Sequence, residues 1–237
     1  MVVSMKKILL ATFLFATVAC GGDLALPSDS GNGVDVSIVG GDGQTGVVGQ
    51  ELAEPLVVSV QAGAAPIPGH QVAFIVTGDG AGRLEPDTAV SDSKGRAVAH
   101  WVLGSAAGSY AVEARLVVTE PQPPPTAIFE ADAVAGRPDT LRAVSPTSQP
   151  GRLASPVADD PTVLVVDRYG NPVGGAAVAW DVTAGGGEVS TASTPTGADG
   201  RASVTWTLGL GIGIQKLAAR VDGVHGSPAT FSATVLF

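Results

Sequence analysis

The 237-residue chain carries 13 lysines and arginines against 22 aspartates and glutamates, a formal net charge of −9, which excludes a protein that binds by covering nucleic-acid phosphates with a basic face. Its single cysteine excludes an intramolecular disulfide, so any folded part must rest on its apolar core. With 32 glycines, 17 prolines and many valines and threonines, the composition disfavours helix and favours short strands joined by tight turns.

The first predicted element is the segment MKKILLATFLFATVAC, Met5 to Cys20. Lys6 and Lys7 precede an apolar run from Ile8 to Ala16, and Thr17-Val18-Ala19 supply small residues before Cys20. A basic start, an apolar core and a small-residue cut make residues 1–19 a secretory signal. The run falls short of the about 20 apolar residues that a membrane-spanning helix needs. A cysteine directly after the cut resembles the lipobox of bacterial lipoproteins, although Thr17 stands where that family usually carries leucine. The resemblance implies export, lipidation of the Cys20 sulfur, and a membrane as the partner of the mature N-terminus. Gly21 stands where an aspartate would resemble an inner-membrane retention signal, so the expected location is the outer membrane of a cell that has one. Residues 20–33 then read as a tether; as a flexible chain they reach about 20 Å r.m.s. and at most about 45 Å. Loss of the signal removes two cations and no anion, leaving 11 against 22 and a net charge of −11.

Beyond the tether the chain repeats itself. GRAVAHWVLG (Gly95 to Gly104) matches GRASVTWTLG (Gly200 to Gly209), 105 residues on. VAFIVT (Val72 to Thr77) matches VAWDVT (Val178 to Thr183), 106 residues on. Leu56 to Val60 parallels Thr162 to Val166 in pattern, Val112 to Leu116 parallels Leu217 to Val221, and Phe129-Glu130-Ala131 parallels Phe231-Ser232-Ala233. Matches in one order define a duplicated domain. Each segment alternates with period two, placing Val72, Phe74 and Val76, or Val178, Trp180 and Val182, on one face of a strand. A one-residue slip would expose such a set, so register is well specified. Turn residues separate the segments: Arg168 to Pro172, Asp199-Gly200, Ser93-Lys94-Gly95 and Gly185-Gly186-Gly187.

The second copy's D-x-x-G-N-P-V (Asp167 to Val173), its V-x-W-x-V-T-x-G-G-G (Val178 to Gly187) and its D-G-R-A…W-x-L-G (Asp199 to Gly209) resemble the bacterial Ig-like domain of the invasin and intimin type. The first copy is more diverged: Gln61 to Pro68 reads QAGAAPIP where D-x-x-G-N-P-V is expected, while Gly41 to Val58 resembles the family's opening strands. The resemblance implies an all-β chain of two tandem antiparallel Ig-like β-sandwiches, at 34–133 and 139–237, joined by a short linker at 134–138. Thr119 to Thr126, with three consecutive prolines, reads as a stiff loop tip between the last two strands of the first copy.

Candidate chemistry is sparse. His70 falls in a turn, His100 on an outward strand face and His225 in a glycine-rich loop, none with a metal-ligand neighbour at useful spacing. Gly41 to Gly46 fits G-x-G-x-x-G, but no amphipathic helix follows to hold a pyrophosphate, and Gly209 to Gly213 reads as a loop between strands. The turn aspartates Asp92, Asp159, Asp160 and Asp199 lack the spacing that would supply the six to eight oxygens calcium needs. Trp101, Trp180 and Trp206 alternate inward, as core and not as a sugar-stacking platform. The expectation is therefore no catalytic, cofactor or metal site: a non-enzymatic, lipid-anchored envelope protein acting as spacer, stalk or adhesin-like interaction module. Loops such as Thr119–Thr126 or Gly185–Gly187 would carry any binding, and a small-ligand or glycan-binding module is the alternative.

Overall fold

Alternation of apolar and polar residues builds most of the strands. A computed structural model describes residues 33–236 apart from 79, 81 and 119–122; Cys20, the signal and the rest of the tether lie outside the described residues. The first half forms β1 (Val34–Gly40), β2 (Gln44–Val47), β3 (Leu56–Ala62), β4 (Ala65–Pro66), β5 (Gln71–Thr77), β6 (Arg83–Glu85), β7 (Thr88–Val90), β8 (Arg96–Val102), β9 (Gly108–Leu116) and β10 (Thr126–Val134). The second forms β11 (Thr140–Ala143), β12 (Ser148–Gly151), β13 (Thr162–Val166), β14 (Ala177–Ala184), β15 (Gly187–Val189), β16 (Ser193–Pro195), β17 (Arg201–Ser203), β18 (Trp206–Leu208), β19 (Gly213–Arg220) and β20 (Ala229–Val235).

Each half is a sandwich. Strands run β1-β3-β8-β6 in one sheet of the first, with β4 on β3, and β2-β10-β9-β5-β7 in the other. The second repeats this as β11-β13-β17 and β15-β18 facing β12-β20-β19-β14-β16. The long strand β8 is thus broken in its counterpart, at Val204-Thr205, between β17 and β18. Most pairs are antiparallel, but β2 runs parallel to β10 and β12 parallel to β20. The parallel edges arise because the opening segment of each half pairs first with one sheet and then crosses to the other. In the first half the crossing turns at Gly41, in left-handed backbone at φ 85°, where a Cβ would lie 2.1 Å from the Pro55 carbonyl oxygen. Only glycine fits there.

The inward sets meet in two apolar clusters. Leu56, Val58, Phe74, Trp101, Val112 and Phe129 are buried in the first; Leu141, Val163, Trp180, Trp206, Leu217 and Phe231 are buried in the second. In the second, the Trp180 and Phe231 rings pack 6.5 Å apart and tilted by 42°. Truncating such a ring to alanine typically costs about 3–5 kcal/mol, so these rings are a large part of what holds each sandwich.

One expected correspondence is corrected by the register. Val58 lies opposite Ala97 and Val163 opposite Ala202, so Val58 corresponds to Val163, not to Leu164 as the pattern of Leu56–Val60 and Thr162–Val166 implies. The backbone bonds Val60 N to Gly95 O and Val165 N to Gly200 O give the same 105-residue offset. The cause is local. Every residue from Val163 to Val166 is apolar, so alternation gives no phase. The turn that follows is also one residue longer than in the first half: Gln61 faces Pro66, whereas Val166 faces Pro172.

Candidate functional site

The two sandwiches meet where the turn after β13 reaches back to the first one. Asp167 begins that turn, with its side chain buried to 2% exposure. Its Oδ1 accepts the backbone N–H of Tyr169 and of Asn171, both at 2.9 Å. Its Oδ2 accepts Asn171 Nδ2–H at 2.9 Å and the backbone N–H of Gly136, in the connecting segment, also at 2.9 Å. Burial pushes the carboxyl pKa up, but the hydrogen bonds from Asn171, Gly136 and Tyr169 outweigh it and hold the value below the ordinary aspartate range. The group is a buried anion satisfied by N–H dipoles, with no full positive charge needed.

Asn171 completes the contact. Its Nδ2–H donates to Ser105 O at 2.8 Å and its Oδ1 accepts Ala107 N–H at 2.9 Å, so one carboxamide bridges both polarities of the loop between β8 and β9. Tyr169 packs against Gly49: a Cβ at that glycine would sit 2.4 Å from the Tyr169 hydroxyl oxygen. Arg168 covers the Tyr169 ring, 4.5 Å from its centroid. Beside these contacts lies a groove of 710 Å³ whose lining includes Val47, Gln50, Arg137, Asp139 and Tyr169.

The family-like turn thus clasps the preceding sandwich, a role that reading it as a turn does not reveal. One signal was available. The first half replaces Asp and Asn by alanines and glycine in just this turn while keeping the strands around it. A second repeated device also escaped the pattern search. Gln44 binds the backbone of Glu54 through both amide atoms (2.9 and 2.9 Å), and Gln149, 105 residues on, does the same to Asp159 (2.9 and 3.0 Å).

The sequence candidates do not converge. His100 Nδ1 pairs with Glu51 Oε1 at 2.7 Å on an exposed surface, His70 Nδ1 lies 3.2 Å from Pro68 O, and His225 joins Asp139 and Leu141 through its backbone. Asp92 Oδ1 accepts the N–H groups of Lys94 and Arg96, the bonds that lower its pKa. Asp199 closes its own turn by accepting Arg201 N–H, and Asp160 accepts the Thr205 hydroxyl. Among the described residues no group of three or more His, Cys, Asp or Glu side chains is placed to hold a metal ion. The G-x-G-x-x-G stretch ends in β2, where Asp42 and Gly43 bond to Glu130 and Gln44 to Glu54. All three tryptophans are buried, as their alternation implies. Cys20 lies outside the described residues, as do residues 119–122 of the proline loop.

Two β-sandwiches with this strand order, joined end to end by a turn of the second, define a tandem Ig-like protein. Residues 158–234, within the second sandwich, match the family model of the bacterial Ig-like domain (group 1). No curated protein matches the sequence. Among solved structures, FdeC, an Escherichia coli adhesin, is 19% identical with a TM-score of 0.51, covering 85% of this chain and 64% of its own. InvD of Yersinia pseudotuberculosis is 16% identical with a TM-score of 0.50, covering 84% of this chain and 57% of its own. The D0-D1 domain of intimin is 19% identical with a TM-score of 0.34, covering 84% of this chain and 94% of its own. The chain therefore spans less than two thirds of FdeC and InvD, and the likeness is one of fold.

Proposed function

We propose that this protein is a non-enzymatic, lipid-anchored module that carries two Ig-like sandwiches in a fixed order at the cell surface. It would act as a spacer or adhesin-like interaction element. The observation that carries the reading is the clasp of Asp167 and Asn171. A buried carboxylate and a buried carboxamide are used to hold one sandwich on the next, not to present chemistry to a substrate. Attachment comes from the lipobox-like Thr17-Val18-Ala19-Cys20, and an outer membrane is the location that Gly21 supports. FdeC is itself described as an adhesin, which supports surface interaction as the class of activity. The test is metabolic labelling with palmitate. Wild type takes the label, Cys20→Ser does not, and globomycin leaves the precursor uncut. An unlabelled wild type overturns the anchor.

A further inference from the structure

The repeat maps the far end of the second sandwich onto the face of the first that receives its neighbour. In the first sandwich the receiving loop is Gly104 to Gly108, steadied by Tyr110 O–H donating to Ala106 O at 2.8 Å and by Gly49 N–H donating to Gly104 O at 2.8 Å. In the second, the matching loop runs from Gly209 to Gly213, and Ala154 N–H donates to Gly209 O at 3.4 Å. Gln215 replaces Tyr110. Its Nε2–H donates to Gly211 O at 2.7 Å and its Oε1 accepts Gly209 N–H at 2.8 Å. Gln215 is 1% exposed, so a buried amide is committed to shaping an exposed loop. Ser105 O and Ala107 N–H, the groups Asn171 grips, have Leu210 O and Ile212 N–H as counterparts. Among the described residues no hydrogen bond occupies either.

The surrounding side chains have changed in a consistent direction. Where the first sandwich has Ser105, Ala107 and Ser109, the second has Leu210, Ile212 and Ile214, exposed by 81%, 52% and 61%. Leu236 is 77% exposed at the same end. Clustered exposed aliphatic side chains of this kind mark an interaction face.

We propose that this far end docks another Ig-like sandwich that presents a D-x-x-G-N-P turn. The partner's asparagine would donate to Leu210 O and accept from Ile212 N–H, while Leu210, Ile212 and Leu236 bury against it. The face also specifies the partner's turn. Ala154, at φ 49°, puts a Cβ where Gly49 leaves room for Tyr169, so the partner carries a small residue at that position. A second copy of this chain is the wrong occupant. Its own D-x-x-G-N-P turn already holds Ser105 and Ala107, and its Ala62-Gly63-Ala64-Ala65-Pro66 turn has neither Asp nor Asn. The face does not depend on a lipid at Cys20.

The test appends a further copy of residues 135–237 after Phe237, with Tyr169→Gly in the appended copy, and follows amide exchange by NMR. The Ile212 amide should exchange freely in the natural chain and slow by about tenfold or more in the extended one, as for two new hydrogen bonds. Asn171→Ala in the appended copy alone should restore fast exchange. A folded appended sandwich that leaves Ile212 unprotected overturns the proposal. So does an Ile212 amide protected in the natural chain by a concentration-dependent dimer. If the appended copy does not fold, a cyclised D-R-G-G-N-P-V peptide at millimolar concentration replaces it. Shifts confined to Leu210–Ile212 support the docking face, and their absence overturns it.

Discussion

Asp167 shows how one side chain can decide a molecular geometry. It is deeply buried and accepts three backbone N–H groups and the Asn171 amide, so its ionised form is favoured in the folded chain. Asp167→Ala leaves those donors unpaired and should cost about 2 kcal/mol at neutral pH, measured by urea denaturation followed through tryptophan fluorescence. The pH dependence has a definite sign. The folded pKa is lowered, so the stabilisation is fully present above the unfolded value of about 3.9 and fades as pH falls through the folded value. Wild type and Asp167→Ala should therefore converge in stability on acidification below about pH 4. A gap that stays constant into that range would show that the carboxylate's charge is not what matters.

At the scale of elements, the paired glutamines tie each crossed segment back to the loop that leads into β3 or β13 in the facing sheet. Gln149 is buried and clamps Asp159 from within β12, whereas the bonds of Gln44 to Glu54 are exposed to solvent. Gln149→Ala should lower stability by about 1–2 kcal/mol, and Gln44→Ala by less than about 1 kcal/mol. Equal losses in thermal melts would contradict the assigned difference in burial. These segments also mark how far the sequence could be read. Strands with strict alternation, such as Arg96–Val102 around Trp101, carry their face in their pattern, and all of their inward residues are buried. Thr162–Val166 has no such contrast, and its phase came only from hydrogen bonding to Gly200 and from a turn one residue longer. The parallel edges were likewise hidden. Period two places side chains on a face but says nothing about which neighbour a strand crosses to join.

At the scale of the whole molecule, the clasp joins two stable bodies without merging their cores. Neither apolar cluster draws on the other half, so the junction rests mainly on polar contacts to Ser105, Ala107 and Gly136. Asn171→Ala should leave both sandwiches folded while freeing their relative orientation. Residual dipolar couplings would then require two alignment tensors where wild type needs one. A single shared tensor in the variant would show that other contacts set the geometry. The site was legible only through a contrast between copies. D-x-x-G-N-P looks like any tight turn until it is set beside Ala62-Gly63-Ala64-Ala65-Pro66, which stands at the same place in the first sandwich.

The crossing strands have a mechanical meaning for a chain under tension. Because β2 runs parallel to β10, and β12 to β20, a pull along the chain draws the second and last strands of each sandwich past each other lengthwise. Four register pairs in each ladder then share the load and must give way together, whereas a hairpin peeled from its turn yields one pair at a time. Tension along the chain is thereby met by shear at one edge of each sandwich.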